Sequence, residues 1–404
     1  MKRVYLDYAA GLYNPSSIHR EGIEAKKDLD LARKSIATIL NCRSEEIYFM
    51  PNSTYSIATA IAASANGGCI ITSNIEHSAV LGNLKNYKNI ILPVESDGIL
   101  KPDVLRQALR NIILPVGGIS RVGICGRTLV TIMYANNEIG TIQRSKEYGR
   151  IIDQYNRDNG LDLDNKVLYH IDASQASRYL DLDTYKLRCD MLTLNSSKCG
   201  GPTGIAILYI KENIRSHIRP LIYGGNQERG MYSGTENVAG AIDFAKALAY
   251  TQSIKVEEST RLTNIRNKFI NEYTVAISKQ IEDKDSSMHT MNLIYGSIKD
   301  GERLPNNINI RVPDIPSDEM VIRLDNLGFA VSHRSACSAV NYQIVNNDKH
   351  SEVNNEDGYV LRAISATDKE SNENIRITMG PDTTEMDMDN LLEAILEIHQ
   401  KYSK

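Results

Sequence analysis

Met191-Leu192-Thr193-Leu194-Asn195-Ser196-Ser197-Lys198-Cys199-Gly200-Gly201-Pro202-Thr203-Gly204 is the stretch on which the fold turns. Residues 191–194 make a short apolar run of strand length. The hydroxyls, glycines and proline that follow end it. Strand ends in open α/β sheets face the ligand crevice. A lysine held there can be desolvated, its pKa lowered and its amine made nucleophilic toward a carbonyl. A surface lysine at an ordinary strand-to-turn junction has the same local sequence, so the surrounding chain has to distinguish the two.

Similar apolar runs lie on both sides of this one. Ile47–Phe49, Cys69–Ile71, Ile90–Leu92, Leu129–Met133, Val167–Tyr169 and Ile205–Ile210 read as strands, and most are separated by helical patterns. A first helix is expected over 17–40, where Ala25, Leu29, Ala32, Ile36 and Leu40 share one face. A long helix is expected near 237–253. Alternation of this kind implies an α/β fold, a mostly parallel sheet covered by helices. Beyond 254 the character changes. A charged helix at 257–281, strands at 306–312, 328–332 and 374–379, a helix at 317–327 and a last helix from Thr384, capped by Asp387, read as a smaller α+β C-terminal domain. Polar, asparagine-rich residues 338–358 read as a loop.

The chain has 404 residues, more than one core usually serves, so two domains are expected. A net charge of −4 offers no electrostatic reason to bind nucleic acid. No apolar run reaches the roughly 20 residues of a membrane span, and the first residues lack the apolar core of a signal peptide. The six cysteines (42, 69, 125, 189, 199 and 337) include no C-x-x-C pair. That spacing argues against a metal site or a disulfide framework, and for a reducing, cytoplasmic compartment.

Five further segments put polar residues at the expected strand ends. Asn52-Ser53-Thr54 offers hydroxyls and backbone N–H groups to a phosphate, or simply caps a helix. His77, in Glu76-His77-Ser78-Ala79-Val80, is either a pocket residue or a satisfied structural one. Asn136-Asn137-Glu138-Ile139-Gly140 places amides after a buried strand, where they need partners. Asp172, in His170-Ile171-Asp172-Ala173-Ser174-Gln175, is a carboxylate that needs a cation. Gly224 to Thr235 is glycine-dense and lets backbone approach a ligand. Phosphate donors, an aspartate, a lysine, amides and a histidine together fit pyridoxal phosphate, whose phosphate, ring nitrogen and aldehyde ask for that set. The G-x-G-x-x-G of a nicotinamide site is absent.

At these residues the chain resembles the cysteine desulfurases of the class V aminotransferase-like family of pyridoxal-phosphate enzymes. Matching stretches run from Val4-Tyr5-Leu6-Asp7 to Ile375-Arg376-Ile377-Thr378. The most specific are Asn14-Pro15-Ser16-Ser17, Glu76–Val80, Asn136–Gly140, Gln227-Glu228-Arg229-Gly230 and Ser233-Gly234-Thr235, with Asp172 26 residues before Lys198. The resemblance implies a fold-type-I transferase with a large cofactor-binding domain at 14–254 and a small domain built from 1–13 and 255–404. Lys198 would attach to the cofactor aldehyde and move the α-proton. Asp172 would pair with the ring nitrogen, and His77 would stack on the ring. Gln175 and Asn137 would bond the ring hydroxyl. Ser53, Thr54, Asn195 and Ser197 would bind the phosphate, and Thr235 would reach the phosphate of a partner subunit in a homodimer. Arg376 would hold the substrate carboxylate.

Ser335-Ala336-Cys337 matches the loop nucleophile that separates a desulfurase from an aminotransferase. Cys337 would take sulfur from L-cysteine, leaving L-alanine and a persulfide for an acceptor protein such as an iron–sulfur scaffold. His333 and Arg334 could favour its thiolate. Selenocysteine lyase chemistry and a non-catalytic scaffold are the rival readings. The chain departs from the family pattern at Ser197 (usually His), at Tyr232 (usually Arg) and at His333-Arg334 (usually Ser-Gly). It is also shorter between Ala10 and Asn14.

Overall fold

The computed structural model describes residues 3–62, 68–112, 127–282, 292–333, 358–364 and 366–403. Cys337, Ser335, Arg334 and nearly all of the expected 338–358 loop lie outside the described residues. Two compact units emerge. The first contains Met1–Leu92, Pro102–Tyr134 and Arg144–Lys255. The second contains Pro93–Lys101, Ala135–Gln143 and Val256–Lys404.

The first unit is built on a seven-stranded sheet. Its strands are β1 (Ile47–Met50), β2 (Cys69–Ser73), β3 (Lys88–Leu92), β4 (Leu129–Met133), β5 (Leu168–Asp172), β6 (Met191–Asn195) and β7 (Ala206–Ile210), in the order β1-β7-β6-β5-β4-β2-β3. Pairing is parallel from β3 through β6, whereas β7 runs antiparallel to both β6 and β1. Strands β2, β4 and β5 are buried at every position. That burial explains why they read as continuous apolar runs rather than alternating ones.

The helices of this unit are α1 (Arg20–Leu40), α2 (Ser53–Ala62), α3 (Ser78–Leu81), α4 (Pro102–Asn111), α5 (Ser145–Asp158), α6 (Thr184–Leu187) and α7 (Val238–Ser253). The stripe expected on α1 is buried at Ala25, Leu29, Ala32, Ile36 and Leu40. Arg33 lies beside that stripe and is also buried. Its guanidinium makes a two-pronged pair with Glu228, at 2.7 and 2.8 Å, and donates to the Ile47 carbonyl at 2.6 Å. Glu228 in turn accepts from the Phe49 N–H at 2.8 Å. Segment 224–235, expected as a glycine-rich loop, is thus pinned to α1 and β1 through a fully bonded buried charge.

The second unit pairs β8 (Asn307–Arg311) antiparallel with β9 (Asn374–Thr378), together with α8 (Lys255–Glu282), α9 (Ser317–Asn326) and a C-terminal helix, Glu385–Tyr402. Thr384 and Asp387 form the expected capping box on that last helix. The strand expected at 328–332 is not formed. Only Ser332 pairs, as an isolated bridge to Arg376.

Two segments fall on other sides of the division than the sequence suggests. Residues 135–143 belong with the second unit because Asn307 and Asn309 donate to the Glu138 carbonyl and Ile142 N–H bonds to Glu302. Gly140 makes this approach possible: at φ +70° it adopts the left-handed region, and a Cβ there would meet the Asn307 side chain at 2.5 Å. Residues 3–13 belong with the first unit, tied by Asp7 to Ser17 and His19 at 3.1 Å each and by the Tyr5–His19 ring contact. Among the described residues no helix is long and apolar enough to cross a membrane.

Candidate active site

In the first unit Asp172 and Asn195 stand at the C-terminal ends of adjacent parallel strands, the usual ligand edge of such a sheet. Asp172 closes β5 and pairs across with Thr193 of β6. Asn195 closes β6, and Ser197 and Lys198 follow on a 3₁₀ turn, Ser196–Cys199. The Asn195 amide organises this corner. Its Oδ1 accepts from the N–H and Oγ of Ser197 at 3.0 and 2.9 Å, and its Nδ2 donates to Ser53 Oγ at 2.9 Å. Two hydroxyls, from β6's exit and from the first turn of α2, are therefore drawn together. Thr54, beside Ser53, is exposed. The chain must also turn closely here: a Cβ at Gly201 would lie 2.3 Å from Ser196 Oγ.

Asp172 is buried, and its Oδ1 accepts from Ser174 N–H at 3.0 Å and Ser174 Oγ at 2.6 Å. Gln175, on the same short turn, is half-buried. His77 caps α3, where its Nδ1 accepts from Ala79 N–H at 3.1 Å, so a neutral ring carries its proton on Nε2. Lys198 is exposed rather than desolvated, because it sits on the turn beyond β6 and not within the strand. Its backbone carbonyl accepts from Arg178 Nε at 3.1 Å. Thr235 is also exposed, and its side chain makes no hydrogen bond among the described residues. Tyr232, where an arginine was expected, packs edge-on against Tyr55 with ring centres 5.3 Å apart.

In the second unit Asn137 and Arg376 come together: Arg376 Nη1 donates to the Asn137 carbonyl at 3.3 Å. Burial lowers the pKa of the Arg376 guanidinium, against the pull of Glu138. Ser332, bridged to Arg376, leads the chain into residues 334–357. His333 Nε2 lies 3.0 Å from the Asp318 carboxylate.

Two buried groups escaped the sequence reading. Glu76 has no solvent exposure. It accepts from Ser73 Oγ at 2.6 Å and Met133 N–H at 2.8 Å. Burial pushes its carboxyl up to about 8, with the charge of nearby Asp172 adding to the effect and the two donors opposing it. His170, two residues before Asp172 on the same strand face, is likewise fully buried. A histidine and a glutamate flanking apolar runs were the available signals.

Glu76 carries a testable pH dependence. Its folded pKa lies above the unfolded value of 4.5, so its contribution to stability is complete below about 4.5 and is lost as pH rises toward 8. Stability should fall across that window by up to roughly 1.4 kcal/mol per pH unit on its account. Glu76→Gln is expected to flatten this slope in urea unfolding at pH 5 and pH 8. Equal slopes for the two proteins would show that the native carboxyl is already ionised.

The sequence pattern of the Aminotransferase class-V family matches residues 1–391. The chain is 33% identical to "Cysteine desulfurase IscS" of Dictyoglomus turgidum, over 99% of this chain and 96% of that protein. It is also 33% identical to "Cysteine desulfurase IscS" of Methanosarcina thermophila, over 96% and 85%. Among solved structures it is similar to a "NifS-like protein", with TM-score 0.75, 28% identity and coverage of 97% and 93%. A second is "SspA in complex with cysteine", with TM-score 0.65, 25% identity and 92% of each chain. The apolar strands, the lysine beyond β6 and the carboxylate closing β5 thus sit in a full-length family match, and the chain belongs to the aminotransferase class-V family, among its cysteine desulfurases.

Proposed function

We propose that this protein is a pyridoxal-phosphate-dependent cysteine desulfurase that converts L-cysteine to L-alanine and retains the sulfur as a persulfide on Cys337. The observation that carries the reading is the corner at the ends of β5 and β6. There a buried carboxylate, Asp172, lies one strand from an amide, Asn195, that gathers two hydroxyls just before Lys198. This donor set fits the cofactor. Ser53, Ser197 and the first-turn N–H groups of α2 match a phosphate. Asp172 matches a protonated ring nitrogen, and an exposed amine at Lys198 matches an aldehyde. Thr54 would add to the phosphate donors.

When bound, pyridoxal phosphate supplies an electron sink for charge developing on the substrate. Lys198 holds and moves the proton at the substrate α-carbon. Asp172 would accept from the ring nitrogen, Gln175 and Asn137 would bond the ring hydroxyl, and His77 would stack on the ring and assist proton transfer. Arg376 binds the substrate carboxylate. The Cys337 thiolate attacks the substrate sulfur and the carbon–sulfur bond breaks. The electron pair stays on the β-carbon, and a proton there completes alanine. The persulfide then passes to a thiol on an acceptor protein, such as an iron–sulfur scaffold.

A homodimer belongs to the same reading. Thr235 would complete the phosphate site of the second copy. Leu6 (89% exposed), Ile18 (92%) and Tyr223 (77%) are apolar side chains that a partner would cover. Sedimentation of the cofactor-loaded protein should give a dimer, and an active, saturated monomer would contradict the assignment of Thr235.

Asp172→Asn tests the reading directly. Loss of a charge-assisted bond of about 1.5–3 kcal/mol should slow α-proton removal roughly 10–100-fold. The measure is the rate of hydrogen exchange at the α-carbon of bound cysteine. Exchange at the wild-type rate would mean that Asp172 does not face the ring nitrogen.

A further inference from the structure

A chain of buried hydroxyls runs behind the candidate site, with His170 at its centre. His170 Nδ1 lies 2.8 Å from Thr131 Oγ1 of β4, and its Nε2 lies 3.0 Å from Thr193 Oγ1 of β6. Thr193 Oγ1 lies 2.7 Å from Ser56 Oγ of α2, which donates to the Ile207 carbonyl of β7 at 3.1 Å. All four side chains are completely buried. The last bond fixes the direction of the rest. Ser56 has one proton, and it is given to a carbonyl, so Thr193 must donate to Ser56. Thr193 then accepts from His170 Nε2–H, and the free lone pair on His170 Nδ1 accepts from Thr131. The imidazole is therefore neutral with its proton on Nε2. Burial holds its pKa well below the ordinary value, against the pull of Asp172. A neutral His170 leaves the charge of Asp172 available to a ligand.

This chain joins the two ends of the site. His170 stands two residues behind Asp172 on β5, and Ser56 follows Ser53 and Thr54 in the first turn of α2. A rigid aromatic cofactor has its ring nitrogen and its phosphate at a set separation, so the strand end holding one and the helix end holding the other must be held in register. We propose that His170 is a positioning residue which, through Thr193 and Ser56, fixes the phosphate-binding turn of α2 relative to Asp172. The inference rests on the pyridoxal-phosphate reading above. It adds that phosphate recognition is set from inside the core by a group that touches no ligand.

The test compares pyridoxal phosphate with pyridoxal, which lacks the phosphate, in binding titrations of the full-length protein freed of cofactor. Thr193→Val replaces a hydroxyl by a methyl group of the same shape, and His170→Phe removes both ring bonds. Each is expected to lower the preference for pyridoxal phosphate over pyridoxal at least about fivefold while pyridoxal itself binds nearly as before. The double variant should be no worse than His170→Phe alone, because both break one chain. A general loss of stability would instead weaken both ligands together. If His170→Phe fails to fold, Thr193→Val and Ser56→Ala read the same chain. An unchanged preference in the variants, or additive effects in the double variant, overturns the role of His170 while leaving the function intact. Failure of the wild-type protein to bind pyridoxal phosphate overturns the functional reading and this inference with it.

Discussion

Lys198→Ala is expected to produce no alanine from cysteine and to hold its cofactor without covalent attachment. Two losses combine. Lys198 lies on the turn after β6, directly after Ser197, whose hydroxyl Asn195 gathers with that of Ser53, and in the proposed site it is the amine offered to the cofactor aldehyde. It is also the group assigned to the α-proton, and a positioned acid–base alone contributes about 10²–10⁴-fold. Treatment with borohydride followed by mass spectrometry should label the peptide containing Lys198 in the wild-type protein and leave the variant unlabelled. A reducible adduct that persists in Lys198→Ala would move the assignment to another amine. Because the residue is exposed and its neighbours bond to its backbone carbonyl rather than its side chain, the fold should survive the substitution.

Cys337→Ser should separate cofactor chemistry from sulfur transfer. The variant is expected to bind pyridoxal phosphate and exchange the α-proton of cysteine at close to the wild-type rate, yet to pass no sulfur to a thiol acceptor. The physical reason is ionisation. A thiol near pKa 8.5 supplies a useful thiolate fraction at neutral pH, and a serine hydroxyl does not. The alternative thiol nearest the lysine, Cys199, is buried, and burial pushes it up to about 11, which makes it a poor nucleophile. His333→Ala should lower sulfur transfer far less than Cys337→Ser does, because it removes a neighbouring base and not the nucleophile. Mass spectrometry after cysteine treatment should place the extra sulfur on the peptide containing Cys337. Its appearance on Cys199, or wild-type sulfur transfer by the serine variant, would replace the persulfide route with a lyase-type release.

The sequence by itself determined the strands of the seven-stranded sheet and marked the polar positions at their ends. Buried parallel strands are mostly apolar, and polar residues at their ends stand out for that reason: Asp172 at the end of β5, and Asn195 to Lys198 at and beyond the end of β6. The capping box at Thr384 was legible because its two bonds are made within four residues. What only the tertiary structure decided depends on partners far apart in the chain. Glu228 reads as part of a flexible loop until it meets Arg33, 195 residues away. Residues 135–143 follow a strand of the first unit yet belong with the second, where the Glu138 carbonyl accepts from both Asn307 and Asn309. The expected strand at 328–332 reduces to one bridge, since a local β pattern needs a neighbour with free backbone groups along its length. His170 reads as one more polar residue near a motif. Its meaning comes from Thr131, Thr193 and Ser56, which three other elements bring to its two ring nitrogens. Periodicity and turn chemistry are carried by neighbours in sequence, whereas the satisfaction of a buried polar group is carried by neighbours in space, and those are known only once the chain has folded.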